Sequence, residues 1–109
     1  MKLTPYLTIS SLALMIFLSP AHADKNLAMK SGCLGCHKAD AKLVGPSFQE
    51  IAGRYTAQPD IVDRLADKVK NGSPAGESLL WGNVPMPPNP SAPEDIRTVI
   101  RWMLAEGAK

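Results

Sequence analysis

Residues 31–40 read S-G-C-L-G-C-H-K-A-D and hold the only two cysteines in a chain of 109 residues. Cys33 and Cys36 stand three apart, with His37 directly behind the second. Three chemistries use such a run: a redox disulfide, half of a zinc site, and covalent attachment of a haem. A disulfide across so short a loop would remove little denatured-chain entropy, so it is a poor staple for a small fold. The rest of the chain chooses among the three.

The N-terminus reads as a leader. Lys2 gives a positive start, Leu7 to Leu18 form an apolar run, and Ala21-His22-Ala23 is an A-x-A cleavage site, the pattern of a secretory signal peptide. The apolar run is shorter than the roughly 20 residues a spanning helix needs, so no stable membrane insertion is expected after cleavage. Removing 23 of 109 residues leaves a domain of 86, residues 24–109. Without Lys2, its Lys and Arg number 11 against 10 Asp and Glu. That near balance argues against a nucleic-acid partner, which requires a concentrated basic face. The same cut leaves one histidine, His37, and three methionines: Met29, Met86 and Met103.

The hydrophobic period is helical throughout, and no stretch alternates as a strand does. Lys25 to Ser31 read as a short helix ending at Gly32, and Ser47 to Tyr55 as a second with Phe48, Ile51 and Ala52 on one side. In the third, Ile61, Leu65 and Val69 recur every four residues, and Asn71-Gly72 closes it. Residues 72–91 are rich in Pro and Gly; so long a loop in a compact domain is usually functional or disordered. Ser91 and Glu94 form a capping-box pattern before a last helix bearing Ile96, Val99, Ile100, Met103 and Leu104, with Gly107 as its stop.

This all-α reading removes the strand-to-helix setting of a thioredoxin-like pair. A structural zinc site needs about four ligands, and adjacent Cys36 and His37 serve one tetrahedral ion badly. Haem attachment fits: both thiols bond to the porphyrin, His37 projects beneath the iron, and the flat apolar cofactor supplies the core that a chain this short lacks. With one histidine, the second axial ligand falls to a methionine. Met29 is too near Cys33 to reach the opposite haem face and is expected to pack in the first helix. Met103 lies on an apolar helical stripe and reads as core. Met86 stands in N-V-P-M-P-P-N-P, where Pro85, Pro87 and Pro88 fix φ and stiffen the loop. A Met/His pair favours reduced iron, as an electron carrier requires.

The motifs G-C-L-G-C-H (32–37), V-G-P-S-F (44–48), K-N-G-S (70–73), W-G-N-V-P-M-P-P-N (81–89) and R-W-M-L (101–104) stand in one order. With them, residues 25 to 106 resemble the class I cytochromes c, in particular the short-chain bacterial periplasmic group. The resemblance implies about four short helices wrapped around one covalently bound haem c, held through Cys33 and Cys36 with His37 and Met86 on the iron. It implies that the Pro46 carbonyl orients the His37 ring and that Trp81 donates to a haem propionate. Lys68, or Arg64 one turn earlier, would be that propionate's cationic partner, and Asn89 would donate toward the Met86 sulfur. It implies a soluble, monomeric periplasmic carrier of single electrons, not an enzyme, that meets its redox partners transiently at the exposed haem edge. The alternatives are a haem subunit docked in a dehydrogenase or reductase complex, and a ligand-binding or peroxidatic haem from which Met86 is absent. Two departures stand out: the first helix has Leu27, Ala28 and Met29 where the family usually has an aromatic, and the segment before Trp81 is long.

Overall fold

The computed structural model describes residues 20–73, 81–82 and 84–109. The apolar run of the leader and most of the segment before Trp81 lie outside the described residues. Four helices follow in order: α1 (Pro20–Lys30), α2 (Phe48–Tyr55), α3 (Ile61–Asn71) and α4 (Pro93–Gly107). A single 3-10 turn, Cys33–Gly35, sits between α1 and α2. Among the described residues there is no strand, only an isolated antiparallel bridge between His37 and Lys42. None of the described helices is long and apolar enough to cross a membrane.

Helix α4 is the hub, packing against α1, α2 and α3. Val99 and Met103, one turn apart, join buried Ala28 and Phe48, with Trp102 edge-on to Phe48 at 5.4 Å between ring centroids. Ile96 and Ile100, shifted round the helix, join Ala66 of α3 with Val62, Leu65 and Val69 around them. The single apolar stripe of the sequence therefore serves two clusters. Met103 is buried as expected, but Met29 is 56% exposed, because Ala28 faces α4 in its place. Ala28 is fully buried in the stretch where the family usually carries an aromatic, and Trp102 packs on the same cluster from the α4 side.

Three helix ends differ from the sequence reading. The capping box before α4 does not form: Ala92 is the N-cap, Pro93 takes the first turn, and Glu94 pairs with Arg97 at 2.8 Å. Proline suits that first position because its missing N–H would be unsatisfied there anyway. The box forms instead at α2, where Ser47 Oγ accepts from the Glu50 amide and Glu50 accepts from the Ser47 amide. Gly107 is not the stop but the last helical residue. It is glycine because a Cβ there would run into the Phe48 carbonyl of α2. Helix α1 also begins earlier than read, at Pro20 rather than beside Lys25.

Candidate haem centre

Gly32, at φ +79, turns the chain out of α1 into the 3-10 turn. A non-glycine residue is strained in that region. The turn brings the His37 amide to the Cys33 carbonyl at 3.0 Å, so both cysteines and the histidine share one tight coil. The cysteines are free thiols, each half-buried. Burial raises the Cys33 pKa, and the neighbouring Cys36 adds to the rise while a backbone hydrogen bond opposes it. Among the described residues no three His, Cys, Asp or Glu side chains converge as metal ligands, which the zinc alternative would require.

His37 Nδ1–H donates to the Pro46 carbonyl at 2.7 Å, leaving Nε2 as the nitrogen with a free lone pair. The loop between them is stitched down: the Gly45 amide reaches the Cys36 carbonyl at 2.8 Å, and the Phe48 amide reaches Lys38 at 2.8 Å. Gly45 lies flat against the imidazole, where a Cβ would come within 2.6 Å of Cε1.

The methionine loop is anchored to the end of α3. Ser73 N–H donates to the Met86 carbonyl at 2.9 Å, and Met86 N–H donates to Ser73 Oγ at 3.1 Å. The Asn89 amide donates to Val69 at 3.0 Å. The Asn89 side chain donates to the Ser31 carbonyl at 2.9 Å and accepts from the Ser91 amide at 2.9 Å. It thus ties the methionine loop to the residue before the Cys33 turn. Leu43 and Val44 after His37, and Val84 before Met86, are large apolar side chains left exposed on these two loops.

Trp81 packs edge-on to Tyr55 at 6.5 Å, and the Arg54 guanidinium lies 5.7 Å from the Tyr55 ring centroid and 5.8 Å from that of Trp81. Arg54, Arg64 and Lys68 line a cleft of about 230 Å³ beside Tyr55 and Ile61. Arg64 donates to Gln58 at 3.1 Å, while among the described residues Arg54 and Lys68 have no ion-pair partner. Sequence reasoning gave no role to Arg54, Gly45 or Ser73, although Gly45 and Ser73 lie within the motifs V-G-P-S-F and K-N-G-S.

The family model described as cytochrome c matches residues 23–105. The chain belongs to the cytochrome c family. It is 45% identical over 80 residues to cytochrome c-551 of Azotobacter vinelandii, covering 73% of this chain and 93% of that one. With cytochrome c-552 of Nitrosomonas europaea it shares 35% identity over 102 residues, 93% of this chain and 95% of the relative. The crystal structure of wild-type Nitrosomonas europaea cytochrome c552 superposes with a TM-score of 0.68 at 37% identity, over 75% of this chain and 98% of that chain. The four helices are therefore the all-α cytochrome c fold. The protein is a monohaem cytochrome c, an electron carrier rather than an enzyme, and its cofactor is covalent haem c with iron. The residues present fit that group, with unbridged thiols at Cys33 and Cys36 and an available Nε2 on His37. Bound haem supplies a one-electron ferric–ferrous couple.

Proposed function

We propose that this cytochrome c is a soluble, monomeric periplasmic shuttle between respiratory redox partners, its iron held by His37 and Met86. The leader 1–23 is removed after Ala23, and residues 24–109 work outside the cytoplasm. Cys33 and Cys36 carry the haem, and Pro46 keeps the imidazole oriented through its carbonyl. Trp81 and Lys68 serve the propionate side, and Asn89 holds the methionine loop. Partners, one donor and one acceptor, dock transiently where Leu43, Val44 and Val84 leave apolar surface near the haem edge. Such redox contacts are small and short-lived.

The observation that carries the ligation is the fixing of two loops: His37 on Pro46 at 2.7 Å, and Met86 on Ser73 through both of its backbone polar groups. A visible to near-infrared spectrum of the ferric holoprotein tests it. The weak long-wavelength sulfur-to-iron band is expected in the native protein and lost in Met86→Ala. Covalent haem without that band would refute Met86 as ligand and favour a ligand-binding haem. Co-purification with a catalytic chain would instead make the protein a subunit of a dehydrogenase or reductase.

A further inference from the structure

We infer that Ser73 is a positioning residue for the axial methionine, its hydroxyl setting how firmly Met86 stays on the iron. The inference rests on the His37/Met86 ligation proposed above. Across residues 85–88 the sequence is P-M-P-P, so Met86 carries the only backbone N–H of four residues. Ser73 Oγ takes that donor at 3.1 Å, and Ser73 N–H fills the Met86 carbonyl at 2.9 Å. Two bonds running in opposite directions between the same residues fix both the height and the twist of the Met86 backbone. The side chain then leaves from a set point.

The seat for this pair is built by the end of α3. Gly72 is buried at φ +74, where other residues are strained, and its amide caps the Lys68 carbonyl at 2.8 Å. A Cβ on Gly72 would stand 2.7 Å from the Met86 carbonyl oxygen and from the Pro88 nitrogen. The chain at Met86 thus runs directly over Gly72, and Ser73 is the next residue able to reach it. The remaining backbone tie, Asn89 to Val69, is indifferent to side chains. Of the contacts joining Met86 itself to α3's end, the Ser73 hydroxyl is the one a point substitution can remove.

Imidazole, a small neutral base that competes with a thioether for ferric iron, reads the effect in the holoprotein. Ser73→Ala leaves the half-buried Met86 N–H without its acceptor, and the apparent imidazole affinity is expected to rise about fivefold, the worth of one neutral hydrogen bond. Ser73→Thr, which keeps the hydroxyl, is expected to restore the native value. The near-isosteric pair Ser73→Thr and Ser73→Val asks the same question if the alanine variant does not accumulate. Guanidinium unfolding followed by far-ultraviolet circular dichroism separates fold stability from ligand retention. A lowered unfolding midpoint with imidazole affinity within twofold of native would overturn the inference, as would equal gains in the threonine and valine variants. If the native protein lacks the sulfur-to-iron band, the ligation itself is wrong and the inference falls with it.

Discussion

Gly45→Ala puts one methyl group against the His37 ring, and its cost follows from the distances. The new Cβ would lie 2.6 Å from His37 Cε1, 3.0 Å from Nδ1 and 3.1 Å from Nε2, whereas ordinary contact begins near 3.4 Å. The ring must therefore retreat by about 0.8 Å, or the loop must lift by as much. A retreat of that size carries Nδ1 off the line of its 2.7 Å bond to the Pro46 carbonyl and weakens that bond. Overpacking of this kind costs about 1–3 kcal/mol. Opposing it, replacing glycine restricts the unfolded chain and stabilises by about 0.4–1 kcal/mol. The steric effect wins, for a net loss of about 1–2 kcal/mol. Gly53→Ala provides the internal control, because it lies inside α2 with nothing within 4 Å of its would-be Cβ. It should gain about 0.5–1 kcal/mol from helix propensity alone. Guanidinium unfolding of the two holoproteins at equal m-value measures both. A Gly45→Ala protein as stable as native, with an unchanged ferric spectrum, would refute the close packing of Gly45 on the imidazole.

Gly107→Ala should invert the usual helix preference, losing stability although alanine favours helix by about 1 kcal/mol, because the Phe48 carbonyl occupies the space; thermal unfolding decides the sign. Ser47→Ala removes half of the α2 capping box and should cost about 1 kcal/mol, read by the same melt. Phe48→Ala empties the junction of α2 with Val99, Met103 and Trp102 and should cost about 3–5 kcal/mol in denaturant unfolding. Ile100→Val, in the other cluster, should cost only about 0.5–1.5 kcal/mol.

The haem-attachment run was legible because covalent chemistry dictates its spacing: Cys33, Cys36 and His37 must share one turn, and the sequence shows it. Met86 is proposed as a ligand by elimination, since the other two methionines of residues 24–109 belong to helices. Helix α3 was read nearly to its ends because Asn71-Gly72 is a local stop. What escaped depends on approaches between distant segments. Gly45 is glycine because the His37 ring lies over it, Ser73 matters because Met86 passes 13 residues later, and Arg54 gains its place from Trp81. The misread cap has a local cause. Ser91-x-x-Glu94 and Ser47-x-x-Glu50 match the same pattern, but Pro93 starts α4 one residue late and Arg97 claims Glu94. The Asn89 side chain places an amide hydrogen on the Ser31 carbonyl, a link across 58 residues that no local pattern announces.

The division of α4 between two clusters has a consequence for how the molecule opens. Val99 and Met103 bind the side that carries the cysteines and α2, while Ile96 and Ile100 bind α3 and, through it, the methionine loop. Native-state amide exchange in proteins proceeds through contiguous cooperative units. Here the two faces of one helix define two such units with α4 as their common wall. The α3 unit can detach with the loop it anchors while the other half stays assembled. Amides of α3 should therefore exchange through a partial opening of lower free energy than those of α4, and each such event would release the methionine loop without unfolding the protein.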